Sequence, residues 1–162
     1  MKWSELAGQP CPIARALSVF GDRWTLLVLR DCFLGVRRFD EFRERLGLPR
    51  AVLTERLRLL ADEGVLDRVA YQQGPERHEY RLTAKGRDLY PVLLAIAGWS
   101  DRHMAGEAGP PLRHRHARCG QDFHAEMRCS ECGEPLDPRE VEVRPGAGFA
   151  DPRARRQRPA GG

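Results

Sequence analysis

The chain has 162 residues, 41% of them hydrophobic, and carries 27 Lys and Arg against 23 Asp and Glu, a formal net charge of +4. That is length for one main domain with a small appendage, and apolar content enough for a core. No apolar run reaches the roughly 18 residues of a membrane span, and the start MKWSELAGQP lacks the apolar stretch of a secretion signal. The five cysteines are too sparse and too uneven for a disulfide scaffold. A cytoplasmic protein with no membrane partner is expected.

Residues 1–10 read as a loose N-terminal arm. Pro12 suits a first helical turn, and Ile13, Ala14, Leu17, Val19 and Phe20 follow at helical spacing until Gly21. Asp22 is placed to cap a helix over residues 23–34, with Trp24, Leu27, Val28 and Leu34 as its core face and Gly35 as its stop. Arg23 beside Asp22 reads as a surface or cap pair. Cys32 lies in this apolar helix and reads as core.

A helix over residues 40–46 follows, with Phe39, Phe42 and Leu46 on one face. Gly47 closes it and Pro49 opens the next. There Leu53, Leu57, Leu60 and Ala61 form an inward stripe. Ala51, Glu55, Arg58 and Asp62 point the other way, with Arg50 and Thr54 near the start. Leu59 falls on the outer side, and the pattern does not account for it. Gly64 is the stop.

Val65, Leu66, Val69 and Tyr71 favour a strand, Gly74–Pro75 a turn, and Glu79, Tyr80, Arg81 and Leu82 a returning strand. Thr83 is placed to cap a long helix over residues 84–104, which Pro91 can kink. Leu89, Val92, Leu93, Leu94, Ile96, Ala97 and Trp99 make that helix apolar over most of its circumference. It needs burial on more than one side, which a dimer interface provides.

The order is that of a winged helix-turn-helix: mainly α with a small β-hairpin wing, built to put one helix into the major groove of DNA. The expected organisation is an arm (1–10), the winged helix-turn-helix and dimerisation domain (11–105), a linker (106–112), a Cys/His module (113–145) and a disordered basic tail (146–162). From Arg37 to Arg58 there are seven Arg and four acids, a stripe that can neutralise phosphates or simply face solvent. Arg50, Thr54 and Arg58, with Ala51 and Glu55 on the same face, are assigned to bases or nearby phosphates. Arg37 and Arg38 are assigned to phosphates, and Arg77 and His78 at the wing to a flanking groove.

Residues 11–99 closely resemble the HxlR-type family of bacterial winged-helix transcription regulators. The features stand in order: Cys11–Pro12, Gly21–Asp22–Arg23–Trp24, Arg37–Arg38–Phe39, Leu53–Thr54–Glu55–Arg56–Leu57 and Tyr80–Arg81–Leu82–Thr83–Ala84–Lys85–Gly86. The resemblance implies a homodimer joined through the first and last helices, one DNA-reading helix per subunit, and no enzymatic activity. Members repress or activate neighbouring or their own genes. Some sense electrophiles or oxidants through a cysteine at the position of Cys11, which makes Cys11 a candidate redox sensor. The bland alternative is a small buried residue at a dimer contact.

The C-terminal module reads His116-Ala-Arg-Cys119-Gly, then Cys129-Ser-Glu-Cys132-Gly. Two donors separated by two residues can grip one ion while the backbone turns, and glycine relieves the turn. His116, Cys119, Cys129 and Cys132 are therefore expected to hold one structural zinc per chain in a zinc-ribbon-like fold, with no open position for catalysis. His114 and His124 compete with His116 as the fourth ligand. Phe123, Met127, Leu136 and Val141 are the module's candidate core. An alternative function is a zinc-ribbon interaction module whose winged helix makes protein contacts. An enzyme lacks support: there is no His-Glu-x-x-His, no hydrolase triad spacing and no glycine-rich phosphate loop.

Overall fold

The computed structural model describes residues 6–72 and 77–148. The Gly74–Pro75 turn, the first part of the arm and most of the basic tail lie outside the described residues. Two units divide the chain: Val19–Glu126, and Met1–Ser18 with Met127–Gly162. The elements run α1 (Pro12–Phe20), α2 (Arg23–Phe33), α3 (Phe39–Leu46), α4 (Arg50–Asp62), β1 (Leu66–Gln72), β2 (Arg77–Leu82), α5 (Ala84–Arg87), α6 (Tyr90–Met104), β3 (His114–Arg115) and β4 (Asp122–Phe123).

Local chemistry sets the helix ends. The Asp22 carboxylate accepts from the backbone N–H groups of Trp24 at 2.9 Å and Thr25 at 3.3 Å, which starts α2. Arg23 turns away from Asp22, and its guanidinium lies 4.9 Å over the Trp24 ring; Asp22 instead meets Arg56 at 3.6 Å. The Glu41 carboxylate reaches back to the N–H groups of Arg37 and Arg38, both at 3.3 Å, to hold the first turn of α3. Gly47 ends α3 in the left-handed region at φ 63°. This conformation is cheap only without a Cβ. Leu48 then drops into the core and Pro49 caps α4.

The core is one cluster. Val28, Leu29 and Cys32 of α2, Phe42 of α3, and Leu53, Leu57 and Leu60 of α4 meet Val36, Leu48, Val65 and Leu66. Val19, Phe20, Trp24, Phe39, Leu46 and Leu82 close around it. Asp31 is fully buried, and its carboxylate takes Arg30 at 2.9 Å and Arg45 at 3.3 Å, which ties α2 to α3. Leu34, expected in the core, is exposed because it is the cap residue just past the last turn of α2. Leu59 is half-buried.

β1 and β2 pair antiparallel from Leu66↔Leu82 to Gln72↔Arg77, with a register irregularity between Ala70 and Gln72. The hairpin is tied to the start of α3: the Tyr80 N–H donates to the Arg37 carbonyl at 2.8 Å, and Arg38 bridges Glu79.

The long helix expected over residues 84–104 is two helices. Thr83 caps α5 as expected, its Oγ1 accepting from the Gly86 N–H at 3.0 Å. The chain then turns at Asp88 and Leu89 before α6. Pro91 is the reason: it has no N–H to give and its ring excludes the carbonyl four residues back, so it belongs in a first turn. Gly86 is buried, and a Cβ there would collide with the Val65 carbonyl oxygen.

Beyond α6, β3 and β4 form a two-residue hairpin, His114↔Phe123 and Arg115↔Asp122. The expected module core is not buried: Phe123, Met127, Leu136 and Val141 are all exposed. Such short strands have no second layer against which to bury them.

Candidate nucleic-acid interface

α4 is amphipathic in the sense the interface needs. Leu53, Leu57 and Leu60 are sealed in the core, while Arg50, Ala51, Thr54, Glu55 and Arg58 are exposed. The Arg50 guanidinium lies 5.0 Å over the Phe39 ring, which sets its direction. The Thr54 hydroxyl donates to the Arg50 carbonyl at 2.8 Å. Arg58 meets Asp62 at 3.4 Å, but both are open to water, so the pair is weak and the guanidinium remains free to exchange partners.

Beside α4 runs a groove of about 570 Å³ between its start, the start of α3 and the hairpin. Arg38, Arg50, Thr54, Arg77 and His78, all singled out from the sequence, line it together. Arg68 joins them, and its Nη2 lies 3.1 Å from the His78 Nδ1. The sequence reading missed Arg68. The signal was there: strand alternation puts Arg68 opposite Tyr80 and diagonal to His78, on one face of the hairpin.

Arg37 does not join the groove. It lines a second cleft of about 420 Å³ with Cys32, Phe33, Gly35, Arg81, Leu82 and Arg87. Between the two stands Glu79, which the sequence reading used only as a strand residue. One carboxylate oxygen takes Arg81 Nη2 at 3.0 Å, and the other takes Arg38 Nε at 3.4 Å. Arg81 first, and Arg38 after it, hold the Glu79 carboxyl below its ordinary range.

The cysteines differ in kind. Burial pushes the Cys32 thiol up to about 12, so it stays protonated at neutral pH and serves as core. Cys11 is a free, exposed thiol just before α1. Cys119, Cys129 and Cys132 are free and not buried.

The two donor pairs have the same internal geometry. In the first, the Gly120 N–H donates to the His116 carbonyl at 2.8 Å and the His116 N–H to the Gln121 carbonyl at 2.9 Å. In the second, the Gly133 N–H donates to the Cys129 carbonyl at 2.9 Å and the Cys129 N–H to the Glu134 carbonyl at 2.8 Å. In each, the arginine before the first donor bonds the glycine carbonyl: Arg115 to Gly120 at 2.8 Å, Arg128 to Gly133 at 3.0 Å. Both glycines have positive φ, 71° and 76°. Within the first pair, His116 Nδ1 stands 3.3 Å from Cys119 Sγ. Among the described residues, no group of three or more His, Cys, Asp and Glu is gathered tightly enough to hold a metal ion. No helix among them is long and apolar enough to cross a membrane.

The comparisons agree with this geometry. A family model for HxlR-like helix-turn-helix proteins matches residues 19–108. A helix-turn-helix-type transcriptional regulator of Mycobacterium tuberculosis is 46% identical over 137 residues, covering 85% of this chain and 87% of that protein. A match of 137 residues reaches past residue 108 wherever it begins. Among solved structures, a proposed transcription factor is 37% identical with a TM-score of 0.78, over 87% of this chain and 98% of its own. The redox regulator HypR in its reduced form is 33% identical with a TM-score of 0.53, over 57% of this chain and 92% of its own.

Proposed function

The chain belongs to the HxlR-like helix-turn-helix family, a family of transcription regulators rather than enzymes, and on that premise we propose that it acts as a homodimer that reads DNA with α4. The observation that carries this reading is the exposed polar face of α4 beside a groove of converging arginines. Arg50, Thr54 and Arg58, with Ala51 and Glu55, meet base edges or nearby phosphates. Arg38, Arg68 and Arg77 hold phosphates on either side, and His78 lies along the wing. Arg37 lines the other cleft, apart from the groove set.

Selection of duplexes from a random pool tests the reading. The recovered sites are expected to be inverted repeats, with half-sites about 34–36 Å apart or a multiple of that spacing. No preference among duplexes would overturn it. Arg58→Ala is expected to cost about 1–3 kcal/mol at the best site and to relax the preference at one base position. Arg38→Ala is expected to weaken all duplexes alike and to lower the slope of log affinity against log salt by about 0.9.

The C-terminal segment is proposed as a zinc-ribbon-like module, with His116, Cys119, Cys129 and Cys132 as the four donors of one structural zinc. Its support is the donor chemistry and the matched turns of the two pairs, each with a left-handed glycine. A segment with no buried apolar side chains needs another source of folding free energy, which a structural metal supplies. Protein purified without added metal is expected to contain one zinc per chain by elemental analysis, and chelation to melt the segment after Leu112 while the winged helix stays folded. A zinc content near zero with the cysteines reduced rules the site out. If His116→Ala keeps the metal, His114 or His124 replaces it as ligand.

Cys11 is proposed as a thiol sensor, on its exposure and on the chain's similarity to the redox regulator HypR. Diamide is expected to change duplex binding by the wild type and not by Cys11→Ser. Equal responses refute it.

A further inference from the structure

We propose that the cleft lined by Arg37, Arg81 and Arg87 is a binding site for a small aromatic carboxylate, and that Glu79 couples this site negatively to the DNA-facing groove. The coupling rests on the DNA-binding reading; the binding does not.

Three guanidinium groups converge on the cleft from three places: the turn before α3, β2 and α5. No carboxylate is among the residues that line it. Arg87 is anchored by donating from Nη1 to the Leu82 carbonyl at 2.9 Å, and Arg81 by Glu79 at 3.0 Å. Among the described residues the Arg37 side chain has no hydrogen-bond or ion-pair partner. Like charges lining one cleft repel, and an anion bound among them relieves the repulsion. The planar fork of arginine fits a carboxylate with two parallel hydrogen bonds.

The remaining walls select the body of the ligand. Phe33 and Leu82 are apolar and half-buried, and the Cys32 thiol stays neutral. A bare inorganic anion would leave this surface unused, whereas a flat apolar ring covers it. The volume of about 420 Å³ suits a small molecule.

Glu79 supplies the link. It has one carboxylate for two arginines: Arg81 at the cleft and Arg38 at the groove. A carboxylate ligand that takes Arg81 leaves Glu79 to Arg38 alone, and Arg38 is then less free to meet a phosphate. In the other direction, a DNA phosphate that takes Arg38 leaves Glu79 to Arg81, which weakens the ligand. The two effects have the same sign, as binding linkage requires.

Benzoate is the probe, with benzamide as its neutral counterpart, inorganic phosphate as the anion without a ring, and sodium chloride matched for ionic strength. By titration calorimetry of the full chain, benzoate is expected to bind, benzamide not, and phosphate more weakly than benzoate. Saturating benzoate is expected to raise the duplex Kd about fivefold over the chloride control. Arg87→Ala is expected to abolish benzoate binding while duplex affinity without benzoate stays at the wild-type level, which also shows that the variant folds. Glu79→Gln is expected to bind benzoate but to lose its effect on DNA.

Benzamide binding as well as benzoate, or benzoate binding undiminished by Arg87→Ala, overturns the site. Phosphate binding as tightly as benzoate overturns the aromatic part of the assignment. A benzoate effect on DNA that survives Glu79→Gln overturns the coupling. If the protein shows no preference among duplexes, the DNA reading falls, and the calorimetry still decides the cleft.

Discussion

Ile96→Glu is expected to give a folded monomer that binds a two-half-site duplex on the order of 10²–10⁴-fold more weakly than the wild type. The reason lies in α6. None of its residues is buried, and Val92, Ile96, Trp99 and Met104 are 39%, 47%, 55% and 69% exposed. An apolar cavity of about 400 Å³ opens between α6 and α2, with Leu26, Phe33, Leu93 and Ile96 among its walls. Apolar surface of this extent on a helix marks a contact with another chain. In the proposed homodimer a second copy of the same face would bury it, and a glutamate at its centre would have to leave water without a partner. The duplex affinity then loses the gain of binding two linked half-sites. Ile96 is outside the buried cluster, so circular dichroism should report an intact fold. Sedimentation equilibrium reads the result. A dimeric variant would show that α6 is not the interface, and a monomeric wild type at micromolar concentration would remove the dimer altogether.

Phe42→Ala is expected to cost about 3–5 kcal/mol of stability. Phe42 is fully buried in α3, within the cluster shared by α2 and α4. Its loss removes a large transfer term and leaves a cavity that three helices, joined by short turns, cannot close. The melting temperature should fall by about 4–8 °C for each kcal/mol lost in a domain of this size. Phe42→Leu should cost less, because more of the volume stays filled. The same cluster holds α4 from behind, so DNA binding by Phe42→Ala should disappear together with the near-ultraviolet signal of folded aromatics. A loss below about 1 kcal/mol would mean that the site collapses onto the missing ring.

Much of the fold was legible because its signals are local. Asp22 caps α2 with its own side chain, Gly47 turns where only glycine turns cheaply, and Pro49 and Thr83 stand where helices begin. The stripe Leu53–Leu57–Leu60 follows from helical periodicity, and with it the exposed face of Arg50, Thr54 and Arg58. The same kind of local evidence gave the paired turns at Cys119–Gly120 and Cys132–Gly133. Pro91 is visible too, but as a kink and not a break, because periodic apolar residues run on through residues 84–104 and mask the gap between α5 and α6.

What sequence could not decide is which side chains from different elements meet. Arg37 and Arg38 are neighbours in the chain, yet they line different clefts, because the strand-like turn before α3 sends successive side chains to opposite sides. Arg68 meets His78, and Glu79 comes to lie between Arg38 and Arg81, only through the register Leu66↔Leu82 and the bridge that ties β2 to the start of α3. A slip of one residue in that pairing would turn every one of these side chains to the other face. Periodicity and capping are properties of a few consecutive residues, so the sequence by itself determined the first four helices, the hairpin and the family, but not the break between α5 and α6. Register and packing depend on contacts between distant segments, so only the tertiary structure decided which arginines face the groove and which face the cleft.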